Sequence, residues 1–453
     1  MEYVKQAVRS LRGSKSGSLV VVRHSADYPA PESAFRNAHQ TRRSALWPFM
    51  TSFVQPTPPS PADRLGPATA FDFNQRTRVV FGCGTFSQLG KLARELGGRR
   101  VLVVTDTGLR KTGYCDQAQD YLRAAGLEFA VFDQVQENPT TDHVDRCVAF
   151  ARPENIGLIV GLGGGSSIDC AKGANFLLTN GGRMQDYKGV GKAAHPMLPM
   201  IAVPTTSGTG SEAQSFAIIA DAETHMKMAC GDPKAACRLA ILDPELTVTM
   251  PPAVAAATGI DAMTHAIESY VTTMRNPISQ MFARQAWEHL SAAFPVMLRE
   301  PKNLDARGKM QLGAFLAGAA IENSMLGAAH AAANPLTAQY GTKHGIAVGL
   351  MLPHVIRWNG KTVGDLYRDL VIAAKWDDAE TNRESAARTL ADGFTDFLRL
   401  AKMPVSVSQA IHAGTEGIVL DRLAVEVAQQ WTGTFNPRTM DVAAFVELYR
   451  NAL

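Results

Sequence analysis

The sequence predicts two domains of different class, an α/β domain with a parallel sheet followed by an all-helical domain. Three observations lead there. The chain has 453 residues, too many for one ordinary core. Across residues 67–249, short apolar runs alternate with amphipathic segments of roughly ten residues, which implies right-handed crossovers and a parallel sheet covered on both faces. Across residues 250–453 strand signals stop, and apolar residues recur at helical spacing.

Residues 1–66 differ from the rest. Lys, Arg and Ser are frequent, Trp47-Pro48-Phe49 stands alone, and Gln55-Pro56-Thr57-Pro58-Pro59-Ser60-Pro61 is a linker that neither a helix nor a central strand accepts. Arg9, Arg12 and Lys15 with almost no acid hint at a targeting peptide, yet no apolar segment of the needed length follows. A poorly ordered extension, an oligomer-contact arm or a misassigned start fits better.

The first domain then unfolds in order. Residues 71–73 and 78–82 read as a short strand or hairpin, 85–96 as a helix, and Arg100–Asp106 as a buried strand with an acidic exit. Asp106 stands where a doubly wound fold places an acid for a ribose, and equally where a helix would be capped. Helix 114–125, strand 128–132, a loop holding Asn138, helix 141–151 and strand 156–161 continue the alternation. Gly161-Leu162-Gly163-Gly164-Gly165-Ser166-Ser167-Ile168-Asp169 follows and opens a helix through Leu177. Its glycines let backbone approach a pyrophosphate, and the helix start supplies N–H donors. This is not GxGxxG, because Ser166 takes the last glycine position. Asp169 reads as a helix cap, with a catalytic role as the alternative.

Strand 199–203 ends at Pro204 and leads into Thr205-Thr206-Ser207-Gly208-Thr209-Gly210-Ser211-Glu212, whose small hydroxylated residues suit a phosphate or simply a loop. Residues 241–244 close the last strand, and Thr249-Met250-Pro251-Pro252 breaks the pattern. Beyond it, 277–293, 306–321 and 384–402 are helical. His289 and His412 read as ordinary surface or core histidines.

The chemistry concentrates in residues 257–270. On a helix, Asp261 and His265 lie one turn apart on one face, half of a metal site. His330 and His344 would supply the other half. One carboxylate and three imidazoles without a thiolate suit Fe(II) or Zn(II).

Charged residues at 19%, aromatics at 7% and a net charge of +3 describe a globular protein with no footprint for nucleic acid or membrane. No uninterrupted apolar run reaches the ~18 residues of a membrane span. Cys83, Cys115, Cys147, Cys170, Cys230 and Cys237 lack CxxC pairing and read as reduced core or helix thiols of a cytoplasmic protein.

The 259–270 stretch, the His330 segment, Lys343-His344-Gly345 and Leu352-Pro353-His354-Val355 together resemble the iron-containing (group III) alcohol dehydrogenase family, and the resemblance begins near Phe71. It implies a dehydroquinate synthase-like architecture, with a dinucleotide-binding first domain and a metal-binding helical one. It places Asp106, Asn138, Gly164, Gly165, Ser166, Thr205, Thr206, Thr209 and Lys227 at the cofactor. NAD(H) is favoured over NADP(H), because a carboxylate at Asp106 would repel a 2′-phosphate. Asp261, His265, His330 and His344 become both metal ligands and catalytic residues. The implied reaction moves a hydride between a short primary alcohol or aldehyde and NAD(H), in a homodimer or larger homo-oligomer. One departure stands out: Asn334 occupies the place where many members carry a further histidine, and an amide relays no proton at neutral pH. His354 is the substitute candidate. A hydroxyacid-oxoacid transhydrogenase, a glycerol-dehydrogenase-like enzyme and a metal-binding structural protein are the alternatives.

Overall fold

The computed structural model describes residues 70–224, 226–376, 381–411 and 419–453. The 1–66 extension and His412 lie outside the described residues.

Among the described residues nine strands come first: β1 Arg78–Phe81, β2 Arg100–Asp106, β3 Glu128–Val135, β4 Leu158–Gly163, β5 Gly189–Val190, β6 Met200–Pro204, β7 Phe216–Ala220, β8 Lys227–Gly231 and β9 Leu239–Leu242. Between them run α1 Leu89–Glu95, α2 Tyr114–Ala124, α3 Thr141–Ala151 and α4 Gly165–Asn180. The main sheet has the order β1-β9-β6-β4-β2-β3, and every neighbouring pair in it is parallel.

Alternation of side chains makes this sheet a two-sided core. On β2, Leu102 and Val104 enter one apolar cluster while Val101 and Val103 enter the opposite one. The same split separates Ile159 from Val160 on β4, and Ala202 from Val203 on β6. Period-two burial on both faces is what a sheet between two helical layers requires. Local signals fix the helix starts. Thr140 and His143 form a reciprocal cap at α3, with the Thr140 N–H donating to His143 Nδ1 at 2.9 Å.

Two expectations change here. Residues 71–73 form no strand, and β1 makes no hairpin; it pairs parallel with β9, so its partner lies at the far end of the α/β half. A second, three-stranded sheet of order β5-β8-β7 is an addition to the expected pattern. Its antiparallel β7 and β8 are short runs of Ala, Ile and Met that carry little strand signal by themselves.

From Pro252 onward the fold is helical: α5 Pro252–Val271, α6 Pro277–Arg299, α7 Leu304–Ser324, α8 Ala328–Tyr340, α9 His344–Ala373, α10 Arg383–Leu400, α11 Leu420–Ala428 and α12 Val442–Ala452. Helix α5 is the axis, buried without a break from Gly259 to Val271. A helix apolar all round belongs at the centre of a bundle, and Ile260, Met263 and Ile267 lie in one large core with Trp287, Phe294 and Phe394. Asn276 caps α6 by accepting from Ile278 and Ser279 N–H. Among the described residues no single helix is long and apolar enough to cross a membrane.

Candidate metal and cofactor site

Helix α5 carries Asp261 and His265, with Asp261 Oδ1 3.4 Å from His265 Nε2. The chain reverses after α7 through Met325 at φ 65°, and α8 brings His330 back so that its Nε2 also lies 3.4 Å from Asp261 Oδ1. The His265 and His330 rings stack at 4.7 Å. His344, first residue of α9, approaches the same oxygen at 3.9 Å. One ligand atom from each of Asp261, His265 and His330 lies within 4.8 Å of the others. His344 flanks this trio.

These separations exceed hydrogen bonds. Asp261 Oδ1 and His330 Nε2 are buried with no hydrogen-bond partner, a costly arrangement for polar atoms unless something sits between them. One divalent ion fits that need, and the donor set is one that Fe(II) and Zn(II) both accept. Burial would raise Asp261, but the three imidazoles outweigh it and hold the carboxyl well below its usual range. Burial pushes His265 down to about 4. A carboxylate and a neutral imidazole are the forms a metal takes.

Glu268, one turn beyond His265, completes the centre. Its Oε2 lies 2.6 Å from His330 Nδ1, and its Oε1 accepts the Ala329 N–H at 2.7 Å. With Nδ1 engaged, His330 presents Nε2 to Asp261. Sequence reasoning passed over Glu268. The only available signal was its place on the face of α5 that carries Asp261 and His265.

Seven of the cofactor candidates, all but Asn138 and Lys227, gather at the carboxyl ends of β2, β4 and β6, where open parallel sheets bind ligands. Gly163 pairs with Pro204 in register, and the Thr205 N–H donates to the Gly163 carbonyl at 3.0 Å. Gly163 adopts φ 145°, a backbone that side chains resist. A Cβ on Gly165 would stand 2.6 Å from Thr209 Oγ1, and one on Gly164 3.2 Å from Thr206 Cγ2. The glycine turn and the threonine loop therefore form one concave surface, with Ser166 half-buried at the start of α4. Asp106 reaches the same place and does cap a helix. Its Oδ1 accepts the Leu109 N–H at 2.9 Å, and its Oδ2 accepts from Ser167 Oγ at 3.4 Å.

Asp169 is corrected: Gly164 caps α4, and Asp169 lies buried inside the helix, accepting from Ser211 Oγ at 2.5 Å. Fully buried Lys172 beside it donates to the carbonyls of Ser211, Gln214 and Phe216 at 2.6, 2.8 and 2.8 Å. Sequence reasoning missed Lys172 as well.

Lys227, half-buried on β8, lies within electrostatic reach of the metal group. Burial lowers its pKa, and Asp261 counters this; its charge in turn depresses His344, after burial. Asn138, at φ 53°, is exposed in the β3–α3 loop. That loop is tied to β7 by the Ala220 N–H, which donates to the Pro139 carbonyl at 2.9 Å. Asn334 lies one turn after His330, but its amide donates to Gln430 Oε1 at 3.0 Å. His354 is ten residues along α9 from His344, about 15 Å away at helical rise, and burial, with Arg357 beside it, holds it down to about 4. Neither joins the metal group. His289 is a helix-surface histidine beside Gln285. All six cysteines are free; five are buried and Cys83 is exposed.

Two sequence models match the chain. The one described as iron-containing alcohol dehydrogenase covers residues 76–244, and the one described as Fe-containing alcohol dehydrogenase family, C-terminal, covers 255–453. The chain is 36% identical to NAD-dependent methanol dehydrogenase of Bacillus methanolicus over 62% of its own length and 74% of that protein. It is 31% identical to lactaldehyde reductase of Escherichia coli over 82% and 97%. The crystal structure of a 1,3-propanediol oxidoreductase superposes with a TM-score of 0.82 at 31% identity, covering 85% of this chain and 100% of that one.

Proposed function

The chain belongs to the iron-containing alcohol dehydrogenase family, and from that premise we propose that Asp261, His265, His330 and His344 hold one divalent ion facing a bound NAD(H). The reaction class is that of the family, NAD-dependent oxidation of an alcohol or reduction of an aldehyde. The observation that carries the residue assignment is the pair of orphaned buried atoms, Asp261 Oδ1 and His330 Nε2, aimed at one point among the histidines.

When bound, the ion would act as a Lewis acid on a substrate oxygen and the nicotinamide would give or take the hydride. The protein's own residues do the rest. Glu268 orients His330. The glycine turn and Thr205, Thr206 and Thr209 offer donors to the pyrophosphate, and Asp106 faces the ribose, which favours NAD(H) over NADP(H). Lys227 supplies positive charge between dinucleotide and ion. Asn334, an amide bonded to Gln430, carries no proton, so the proton leaves by way of water, a substrate hydroxyl or the cofactor ribose.

Short primary alcohols and aldehydes are the substrates we propose, with Fe(II) or Zn(II) as the ion. A cytoplasmic location and a homodimer or larger assembly accompany this reading; fractionation and light scattering test them. The deciding experiment follows NADH oxidation with short aldehydes after anaerobic reconstitution with Fe(II), with Zn(II), and after chelation. Turnover that needs the ion and vanishes in His265→Ala supports the assignment. Full activity in metal-free protein would remove it.

A further inference from the structure

Two buried amides meet beside the turn that enters α8. Asn359 on α9 and Asn436, between α11 and α12, are 1% and 5% exposed. Asn359 Nδ2 donates to Asn436 Oδ1 at 3.0 Å, and Asn436 Nδ2 donates back to Asn359 Oδ1 at 2.8 Å. The second Asn436 N–H goes to the Arg438 carbonyl at 2.6 Å. Only the nitrogen side of an amide can approach a carbonyl that closely, so the Arg438 carbonyl fixes which way Asn436 faces. Arg438 is itself held. Its Nη1 donates to the Trp358 carbonyl at 2.9 Å, and its guanidinium lies 3.6 Å from the centre of the Trp358 ring. Residues 435–438 are thus clamped onto α9 by neighbouring pairs. The same segment is tied to the end of α5, where the Phe435 carbonyl accepts the Thr273 N–H at 2.9 Å.

Gly327 is where this clamp meets the metal centre. A Cβ on Gly327 would stand 2.8 Å from Glu268 Oε1 and 3.3 Å from Asn436 Oδ1. Gly327 has φ −124°, a backbone that any residue adopts, so space alone excludes a side chain there. Both oxygens lie against the same point of the Gly327 backbone, one acceptor beside another. Asn436 Oδ1 has no hydrogen to give Glu268, and both Asn436 N–H groups are spent on Asn359 and Arg438. Glu268 therefore keeps its oxygens for α8, one on the Ala329 N–H and one on His330 Nδ1. With the Asn436 amide turned over, an N–H would face Oε1 and compete with Ala329 for it.

We propose, on the basis of the metal-site reading above, that Asn359, Asn436 and Gly327 are positioning residues of the metal centre. The amide pair presents an acceptor to Glu268 across the space that Gly327 leaves, and so holds the Glu268 carboxylate on α8, where it orients His330. None of the three touches a proposed ligand of the ion; each acts through Glu268.

The test is a double-mutant cycle read by ion affinity. Competition with a chromophoric chelator gives the Zn(II) and Co(II) affinities of wild type, Asn436→Ala, Glu268→Gln and the double variant, each checked for folding by circular dichroism. Asn436→Ala is expected to weaken binding about tenfold, the lower end of the effect of groups that orient a ligand. In the Glu268→Gln background it should add about twofold at most, because the carboxylate it acts through has already gone. Loss of affinity by the same factor in both backgrounds is what a merely structural role gives, and it overturns the proposal. Gly327→Ala removes no hydrogen bond. Its methyl displaces Glu268 Oε1, so affinity should again fall about tenfold and the visible absorption bands of the Co(II) form should shift. Unchanged affinity and spectrum in Gly327→Ala overturn the proposal even where Asn436→Ala fails to fold. Wild-type protein that takes up neither ion overturns the metal assignment itself, whereas stoichiometric uptake with no change in either variant removes this inference alone.

Discussion

A histidine ring offers two nitrogens, and Glu268 decides which of them faces Asp261. Its carboxylate spends both oxygens on α8, one at His330 Nδ1 and one at the Ala329 N–H. Replacing it by Gln leaves one acceptor oxygen for two donors and removes the charge. Glu268→Gln is therefore expected to weaken divalent-ion affinity by about 10-fold to 100-fold, measured by competition with a chromophoric chelator. An unchanged affinity would mean that packing alone orients the ring. Asp261 and His265 were legible because helical spacing shows them on one face, whereas the role of Glu268 depends on a residue 62 positions away. Glu212 is a second buried acid, and burial pushes it up to about 7 from an ordinary 4.5. The native state then holds a proton that the unfolded chain has already lost. Its contribution is full below about pH 4.5 and disappears as pH rises through 7, up to about 3 kcal/mol. Urea unfolding of Glu212→Gln at pH 5 and pH 8 should accordingly show a smaller loss of stability with rising pH than wild type shows.

At the scale of elements, the strand-helix alternation was readable because each segment buries its own apolar face, and β2 and α3 have the bounds the pattern implies. The β7–β8 hairpin was not readable. Its residues are small and mixed, and its register is set by α4 behind it and by the loop before it. Lys172 is the link. From the buried side of α4 it binds the carbonyls of residues 211, 214 and 216, and Asp169 holds Ser211 from one turn away. A solvated helix lysine and a structural one look alike in sequence, since only the fold supplies the carbonyls. Lys172→Met leaves those oxygens unpaired in the interior and removes the positive charge that offsets the buried Asp169. The expected cost is about 3–5 kcal/mol of stability, seen as a lower urea midpoint. The loop that carries Thr209 should loosen with it, so NADH affinity, followed by its fluorescence, falls as well. Normal NADH binding in the folded variant would show that the loop keeps its shape without the latch.

Across the whole molecule the proposed function requires the two halves to agree to within an ångström, because on that reading one presents the dinucleotide and the other the metal ligands. The sequence displays each half separately; the seam between them joins residues 107 to 246 positions apart and leaves no local pattern. Gln311 on α7 donates to the Pro204 carbonyl at the end of β6, at 3.1 Å. Glu322, near the end of α7, accepts from Arg76 at 3.0 Å and from the Ser215 hydroxyl at 2.6 Å. One close approach is backbone on backbone. Gly318 of α7 lies against Gly210 of the threonine loop, and a Cβ on Gly318 would stand 2.5 Å from the Gly210 carbonyl oxygen. Gly210 itself sits at φ 61°, so its peptide has little freedom to turn away. Gly318→Ala must therefore push the helical half and the cofactor loop apart. Each half keeps its own core, so the damage should fall on their alignment. A displacement of about 1 Å between reacting groups costs on the order of 100-fold in rate. The expected result is a steep loss of kcat with divalent-ion affinity nearly unchanged and only a modest drop in melting temperature. A variant that keeps wild-type kcat would show that the seam can open without disturbing the distance from nicotinamide to metal. A variant that loses metal and nucleotide binding together with its fold would show instead that the halves depend on each other for stability.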